Sequence, residues 1–299
     1  MVYAKLKGVI VPLITPFKSD YSIDVEGLKW LVTYLIENGV NGIFVNSSVG
    51  EFASLTLDEM KMLGKIVLDT ANNKVPIFVG ISTNFTEESI SLGKEFRDMG
   101  ADFLVVMAPY FFKVSERELL RHFSLIAEKL DSPIIIYNIP IYTGINIPIS
   151  VYKTLVSQYS NVVGTKVTID SLIYLKKLVR ELKEIRKDFA IFTGFDDYLL
   201  PLLSMGGNGG VMGLANVLPR LHLEIYRNWE RGKIDNINWI KLLELTEIYD
   251  YCNSYTASIK AAMRALGMPI MNVTRPPLDI CNEELVRKKV NEFKNWLLL

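Results

Sequence analysis

Short apolar runs rich in Val, Ile and Phe alternate along the chain with longer segments whose apolar residues recur every three or four positions. The runs are GVIVPLI (8–14), GIFVN (42–46), PIFVGIS (76–82) and FLVVMAP (103–109), then PIIIYNI (133–139), VVGTKV (162–167), FAIFTG (189–194) and GGVMGL (209–214). Each has the length of a strand, and a run that is apolar throughout suits a strand covered on both faces. In the segment 25–38, Leu28, Leu31, Val32, Leu35 and Ile36 form one face of a helix. Thr56 with Glu59 three residues on predicts a capping box, and Thr86 is expected to open the next helix likewise, with Glu87 and Glu88 in its first turn. Asn38–Gly39 and Met99–Gly100–Ala101 read as glycine-capped helix ends before the following strand.

Strand, helix, strand repeated eight times makes a right-handed parallel array. Eight units over about 215 residues match a (β/α)8 barrel in size. The expected fold class is therefore α/β, a TIM barrel over residues 1–232. A C-terminal extension over 233–299 carries no strand signal and is read as helices at 236–252, 255–266 and 283–297. The structural rival, a doubly wound open sheet, usually carries a phosphate loop after its first strand, and none is present. The cluster GGNGG (206–210) lacks the spacing of such a loop and reads as a tight lead into the last strand.

Composition narrows the function. Of the 299 residues, 33 are Lys or Arg and 33 are Asp or Glu, so no net field draws nucleic acid or anionic lipid. No apolar run approaches the ~20 residues of a membrane helix. The N-terminal stretch MVYAKLKGVIVPLITPF lacks a basic leader region and a small-residue cleavage site, so a cytoplasmic location is expected. Cys252 and Cys281 lie far apart without CxxC spacing and are expected as reduced thiols. With only His122 and His222, both expected at a surface or an interface, a histidine-rich metal site is not anticipated. The run Lys183–Lys187 reads as a solvated helix face.

In a barrel, reactive groups sit at the C-terminal ends of the strands. Those positions hold Ser47 and Ser48, Tyr110, Tyr137, Lys166, and Asp196 with Asp197. Lys166 interrupts an apolar strand, where an ammonium ion is costly to bury. A neutral amine is the nucleophile that attacks a ketone to form an imine. By itself, such a lysine more often reaches solvent or pairs with an acid. Tyr137 shifts the balance, because it lies one strand earlier at the equivalent position, and adjacent strands are ~4.8 Å apart. Its phenol is placed to move protons near an imine, although a lone tyrosine there more often only packs. The SSVGEF turn (47–52) offers backbone N–H groups around Gly50 that can cradle a carboxylate, a weak signal when taken alone.

These stretches together resemble the dihydrodipicolinate synthase / N-acetylneuraminate lyase family of class I aldolases. The likeness spans nearly the whole chain: PLITPF (12–17), NSSVGEF (46–52), APYFF (108–112), YNIPIYTG (137–144), GTKVT (164–168), FTGFDD (192–197), GGNGGVMGLANVLP (206–219) and TRPPL (274–278). It implies a homotetrameric barrel enzyme acting on a small 2-keto acid, without metal or organic cofactor. Lys166 would form the imine, and Tyr137 would carry protons. Ser48, with the backbone of Ser47, Val49 and Gly50, would hold the carboxylate and orient Tyr137. Gly213 and Leu214 fall at further substrate-contacting positions.

Three positions depart from the family pattern. Val49 replaces a hydroxyl residue, Phe111 stands beside Tyr110 where a tyrosine often completes a proton relay, and Tyr142 replaces the arginine of the true synthase. Without that bidentate carboxylate contact, synthase activity is disfavoured. Tyr142 with Thr168, Phe195, Asp196 and Asp197 suits substrate hydroxyls instead. The leading expectation is an aldolase cleaving a 2-keto-3-deoxy sugar acid, such as 2-keto-3-deoxygluconate, to pyruvate and an aldehyde. A sugar-acid dehydratase using the same imine follows, then the synthase, then a catalytically silent 2-keto-acid binder.

Overall fold

A computed structural model describes residues 6–294. The strands are β1 (Gly8–Pro12), β2 (Gly42–Val45), β3 (Ile77–Gly80), β4 (Phe103–Met107), β5 (Ile134–Asn138), β6 (Val162–Val167), β7 (Ala190–Thr193) and β8 (Gly209–Val211). They follow one another in order in a closed parallel barrel, the architecture expected. Every strand residue is buried, so the unbroken apolar runs reflect strands covered on both faces.

Helices α1 (Val25–Glu37), α2 (Leu57–Ala71), α3 (Thr86–Asp98) and α4 (Glu116–Lys129) follow the first four strands. After β5 come α5 (Pro140–Thr143) and α6 (Ile149–Gln158); then α7 (Leu172–Ile185), α8 (Leu199–Ser204) and α9 (Pro219–Glu230). The C-terminal helices are α10 (Asn236–Thr246), continued by a 3-10 stretch to Tyr251, α11 (Tyr255–Ala265) and α12 (Glu283–Asn291). The last three positions of the helix expected over 283–297 lie outside the described residues. No helix among them is long and apolar enough to cross a membrane.

The chain divides into two compact units. One comprises Met1–Lys7 and Pro76–Val211, the other Gly8–Val75 and Met212–Leu299. Within the second, Thr56 and Glu59 form the expected reciprocal capping box at the start of α2. Asn216 knits strand to loop there, its amide donating to the carbonyls of Pro12 and Gly213 at 2.8 Å each.

Four expectations are corrected. Phe85, not Thr86, caps α3; Thr86 is the first helical residue, and its hydroxyl is spent on His122 Nδ1 at 2.9 Å. Both histidines are buried, His122 on α4 and His222 on α9. Cys252 and Cys281 are joined as a disulfide with Cα atoms 5.5 Å apart; sequence spacing hides this pairing because folding of the tail, not adjacency, brings the two together. Finally, Lys183 and Arg186 are half-buried: Lys183 donates to Asn208 Oδ1 at 2.9 Å, and Arg186 to the carbonyls of Ser160 and Val162.

Candidate active site

The expected neighbours Tyr137 and Lys166 are direct register partners on β5 and β6. The pairing depends on an irregularity lower down. Ile134 opposes Val162, but Ile135 opposes Gly164, so Val163 is an extra residue on β6. Because side chains alternate between faces, one slipped residue exchanges the two sides of everything beyond it. Without the bulge Tyr137 would oppose Thr165, whose hydroxyl faces the helix layer and contacts Tyr152 of α6 at 3.1 Å. With it, Lys166 Nζ lies 4.0 Å from the centroid of the Tyr137 ring, and both side chains are almost wholly buried.

Glycines permit this crowding. A Cβ on Gly164 would approach the Ala190 carbonyl oxygen to 2.8 Å. A Cβ on Gly194, just after β7, would stand 2.0 Å from Thr168 Oγ1 and 3.1 Å from Lys166 Cε. Thr168 is therefore beside the lysine stem, and its buried Oγ1 has no hydrogen-bond partner among the described residues. A buried hydroxyl left unsatisfied is costly unless something else completes it.

Downstream of β7, Asp196 is buried while Phe195 and Asp197 are half-buried. Burial, then the neighbouring charge of Asp196, push the Asp197 carboxyl above its ordinary range. The Phe195 ring packs edge-on against Tyr198, 5.6 Å between centroids, and the Tyr198 hydroxyl donates to Asp170. The Tyr198 phenol is raised to about 12 by that bond and by burial. Tyr110 is half-buried; burial and then the charge of Glu88 raise its phenol. Tyr142 is exposed at the end of α5, and Phe111 is 91% exposed with φ of +74°. Gly164, Gly194, Asp170 and Tyr198 escaped the sequence reading. The available signals were GTKVTID (164–170) and the tyrosine after FDD.

The other unit holds the turn after β2. Ser47 and Gly50 are buried, Ser48 and Val49 half-buried. Gly50 N–H is taken by Ser47 Oγ at 3.1 Å, and Gly50 carbonyl accepts from Thr15 Oγ1 at 2.6 Å. A Cβ on Gly50 would meet the Leu13 carbonyl at 2.8 Å, so the position needs glycine. Gly213 and Leu214 are buried in a 3-10 turn, Gly213 closely covered by the Tyr249 hydroxyl. Among the described residues no group of three or more His, Cys, Asp or Glu is placed to hold a metal ion.

The barrel carries a buried lysine on its sixth strand with a tyrosine opposite it on the fifth, and comparison with known proteins gives its class. Residues 5–295 match the family described as the dihydrodipicolinate synthetase family, and the chain belongs to it. It is accordingly an enzyme of the carbon–carbon lyase class. An uncharacterised DapA-like lyase of Thermofilum pendens is 46% identical over 95% of this chain and 95% of its own. The Escherichia coli protein "Probable 2-dehydro-3-deoxy-D-pentonate aldolase YjhH" is 32% identical over 94% of each chain. Among solved structures, YagE of E. coli, a prophage protein of the same family in complex with pyruvate, superposes with a TM-score of 0.93 at 30% identity, covering 98% of this chain and 99% of that one.

Proposed function

We propose that the protein is a cytoplasmic, homotetrameric class I aldolase that cleaves a 2-keto-3-deoxy sugar acid to pyruvate and an aldehyde. The observation that carries this reading is the buried Lys166 amine held against the Tyr137 ring by strand register. Lys166 Nζ attacks the 2-keto carbon, and loss of water leaves an imine. Tyr137 gives its phenolic proton to the hydroxyl leaving as water, and as the phenolate takes the proton from the C4 hydroxyl; the C3–C4 electron pair then flows into the protonated imine, releasing the aldehyde and leaving an enamine. Protonation at C3 and hydrolysis return pyruvate and the free amine. Neither a metal nor an organic cofactor enters these steps.

Tyr142 in place of a carboxylate-forking cation, the unpaired Thr168 hydroxyl and the acidic groups after β7 favour a polyol chain over a second carboxylate. The name of YjhH and that of YagE, "Putative 2-dehydro-3-deoxy-D-gluconate aldolase", support that choice. The exposed Phe111, Phe112 and Ile141 supply apolar surface suited to subunit contact.

Incubation with 2-keto-3-deoxygluconate and its five-carbon analogue tests the reading. Pyruvate and aldehyde should appear in equal amounts, and Tyr137→Phe should slow their release far more than it blocks imine formation. A dehydrated keto acid of unbroken carbon chain, or no product from either compound, would contradict it.

A further inference from the structure

Asn138 ends β5 and follows Tyr137, so its side chain leaves the opposite face of the sheet, towards α7. It is wholly buried, and each part of its carboxamide has a partner. Nδ2 donates to Tyr174 Oη at 3.1 Å and to Asn146 Oδ1 at 3.0 Å, while Oδ1 accepts the Ile147 N–H at 3.2 Å. Tyr174 lies in the first turn of α7, which Ser171 caps, and gives its own proton to the Ile147 carbonyl at 2.7 Å. Burial pushes that phenol well above its ordinary value of 10, so it stays a donor at any working pH. Ile147 is therefore gripped at both its N–H and its carbonyl, nine positions along the chain from Asn138.

These bonds shut the neck of the loop 139–147, which leaves the barrel directly after the strand end that carries Tyr137. Inside the loop, α5 is a single turn ended by Gly144 at φ of +70°, with the Gly144 N–H on the Pro140 carbonyl at 2.8 Å. The buried Thr143 hydroxyl accepts the Ile145 N–H at 3.2 Å and lies 3.1 Å from the carbonyl oxygens of Ile139 and Ile145. With its interior stitched and its ends joined, the loop is held as one piece, and the joint is made by Asn138, Ile147 and Tyr174. Tyr142 rides on it, exposed. A loop ordered before substrate arrives spares the binding step the cost of ordering it.

We propose that Tyr174 is a positioning residue that sets substrate preference: from α7 it closes the neck of the 139–147 loop and so holds Tyr142 in place for the distal hydroxyls of a sugar acid. This rests on the reading that Tyr142 meets that end of the substrate. Pyruvate, which has no such end, gains nothing from the closed neck. The tyrosine hydroxyl therefore acts on the longer substrate alone, through a loop and without touching the substrate itself.

The test compares cleavage of 2-keto-3-deoxygluconate with borohydride trapping of pyruvate, both on the full-length protein. Y174F keeps the ring and removes the donor. It should raise KM for cleavage roughly five- to tenfold, while the half-saturating pyruvate concentration shifts by less than about twofold. In a Y142A background the same change should add less than about twofold to KM, because Tyr174 acts through Tyr142. N146A, at an exposed position, removes a weaker part of the neck and should raise KM about two- to threefold; it decides the matter should Y174F not fold. An unchanged KM in the folded variants would overturn the positioning role, and so would an equal rise for pyruvate or full additivity of Y174F with Y142A. Those results leave the aldolase reading intact. A parent protein that traps pyruvate but cleaves no sugar acid would overturn that reading and the positioning role with it.

Discussion

Tyr137 and Lys166 face one another because Val163 is an extra residue on β6, slipped in below them. The buried amine and the phenol share a side of the sheet only through that one-residue shift. Gly164 makes it possible, since any larger residue there would run into the backbone of Ala190.

Gly164→Ala is accordingly expected to destabilise the protein by about 1–3 kcal/mol through overpacking. It should also lower the rate of pyruvate trapping at saturation more than the stability loss explains, because the strand must move where it carries Lys166. Denaturant titration with trapping kinetics on the folded fraction measures both. A stable variant with normal trapping would mean that the bulge does not set the pair.

Much of this was readable from the residues. The eight apolar runs mark the strands because every strand is covered on both faces, which erases polar alternation. Thr56 and Glu59 announce a helix start because the box is local chemistry. Lys166 is conspicuous as a charge in an apolar strand. Hidden were features made by long-range approach: the pairing of Cys252 with Cys281, the burial of His122 and His222, the tertiary bonds of Lys183 and Arg186, and the β6 bulge. Gly164 and Gly194 are two among many glycines until their neighbours are known.

Thr168 should separate stability from function. Its buried hydroxyl has no hydrogen-bond partner among the described residues, so Thr168→Val removes an unsatisfied group and should leave stability unchanged or raise it by up to about 1 kcal/mol. The same change should lower kcat/KM for the sugar acid by about tenfold or more, because the lost hydroxyl is one the substrate would complete. A destabilised variant with normal kcat/KM would show the hydroxyl to be structural.

Acid should weaken the fold in two windows. Burial holds the His122 imidazole down at about 4, against an ordinary value of 6.5. The unfolded chain therefore binds a proton first, and this contribution to stability, present above pH 6.5, is lost as pH falls towards about 4. Glu59, held at about 2 chiefly by its hydrogen bonds from Arg275, adds stability above its ordinary value of 4.5 that is lost as pH falls towards about 2. Melting temperatures across pH should show both limbs, with His122→Gln flattening only the upper one. An unaltered upper limb in that variant would assign it elsewhere.

The disulfide closes a loop with a sequence separation of 29 between Cys252 and Cys281. Chain-entropy reasoning gives it about 3–4 kcal/mol, so reduction or Cys281→Ser should lower the melting temperature by roughly 5 °C. Calorimetry with and without reductant decides this, and identical melts would refute it.

The central claim concerns where a ketone becomes bound. Borohydride reduction in the presence of pyruvate, followed by peptide mapping, tests it most directly. The account predicts one stable adduct, on the peptide carrying Lys166, that is lost in Lys166→Ala. An adduct on another lysine, or none with a protein shown to be folded, would contradict it.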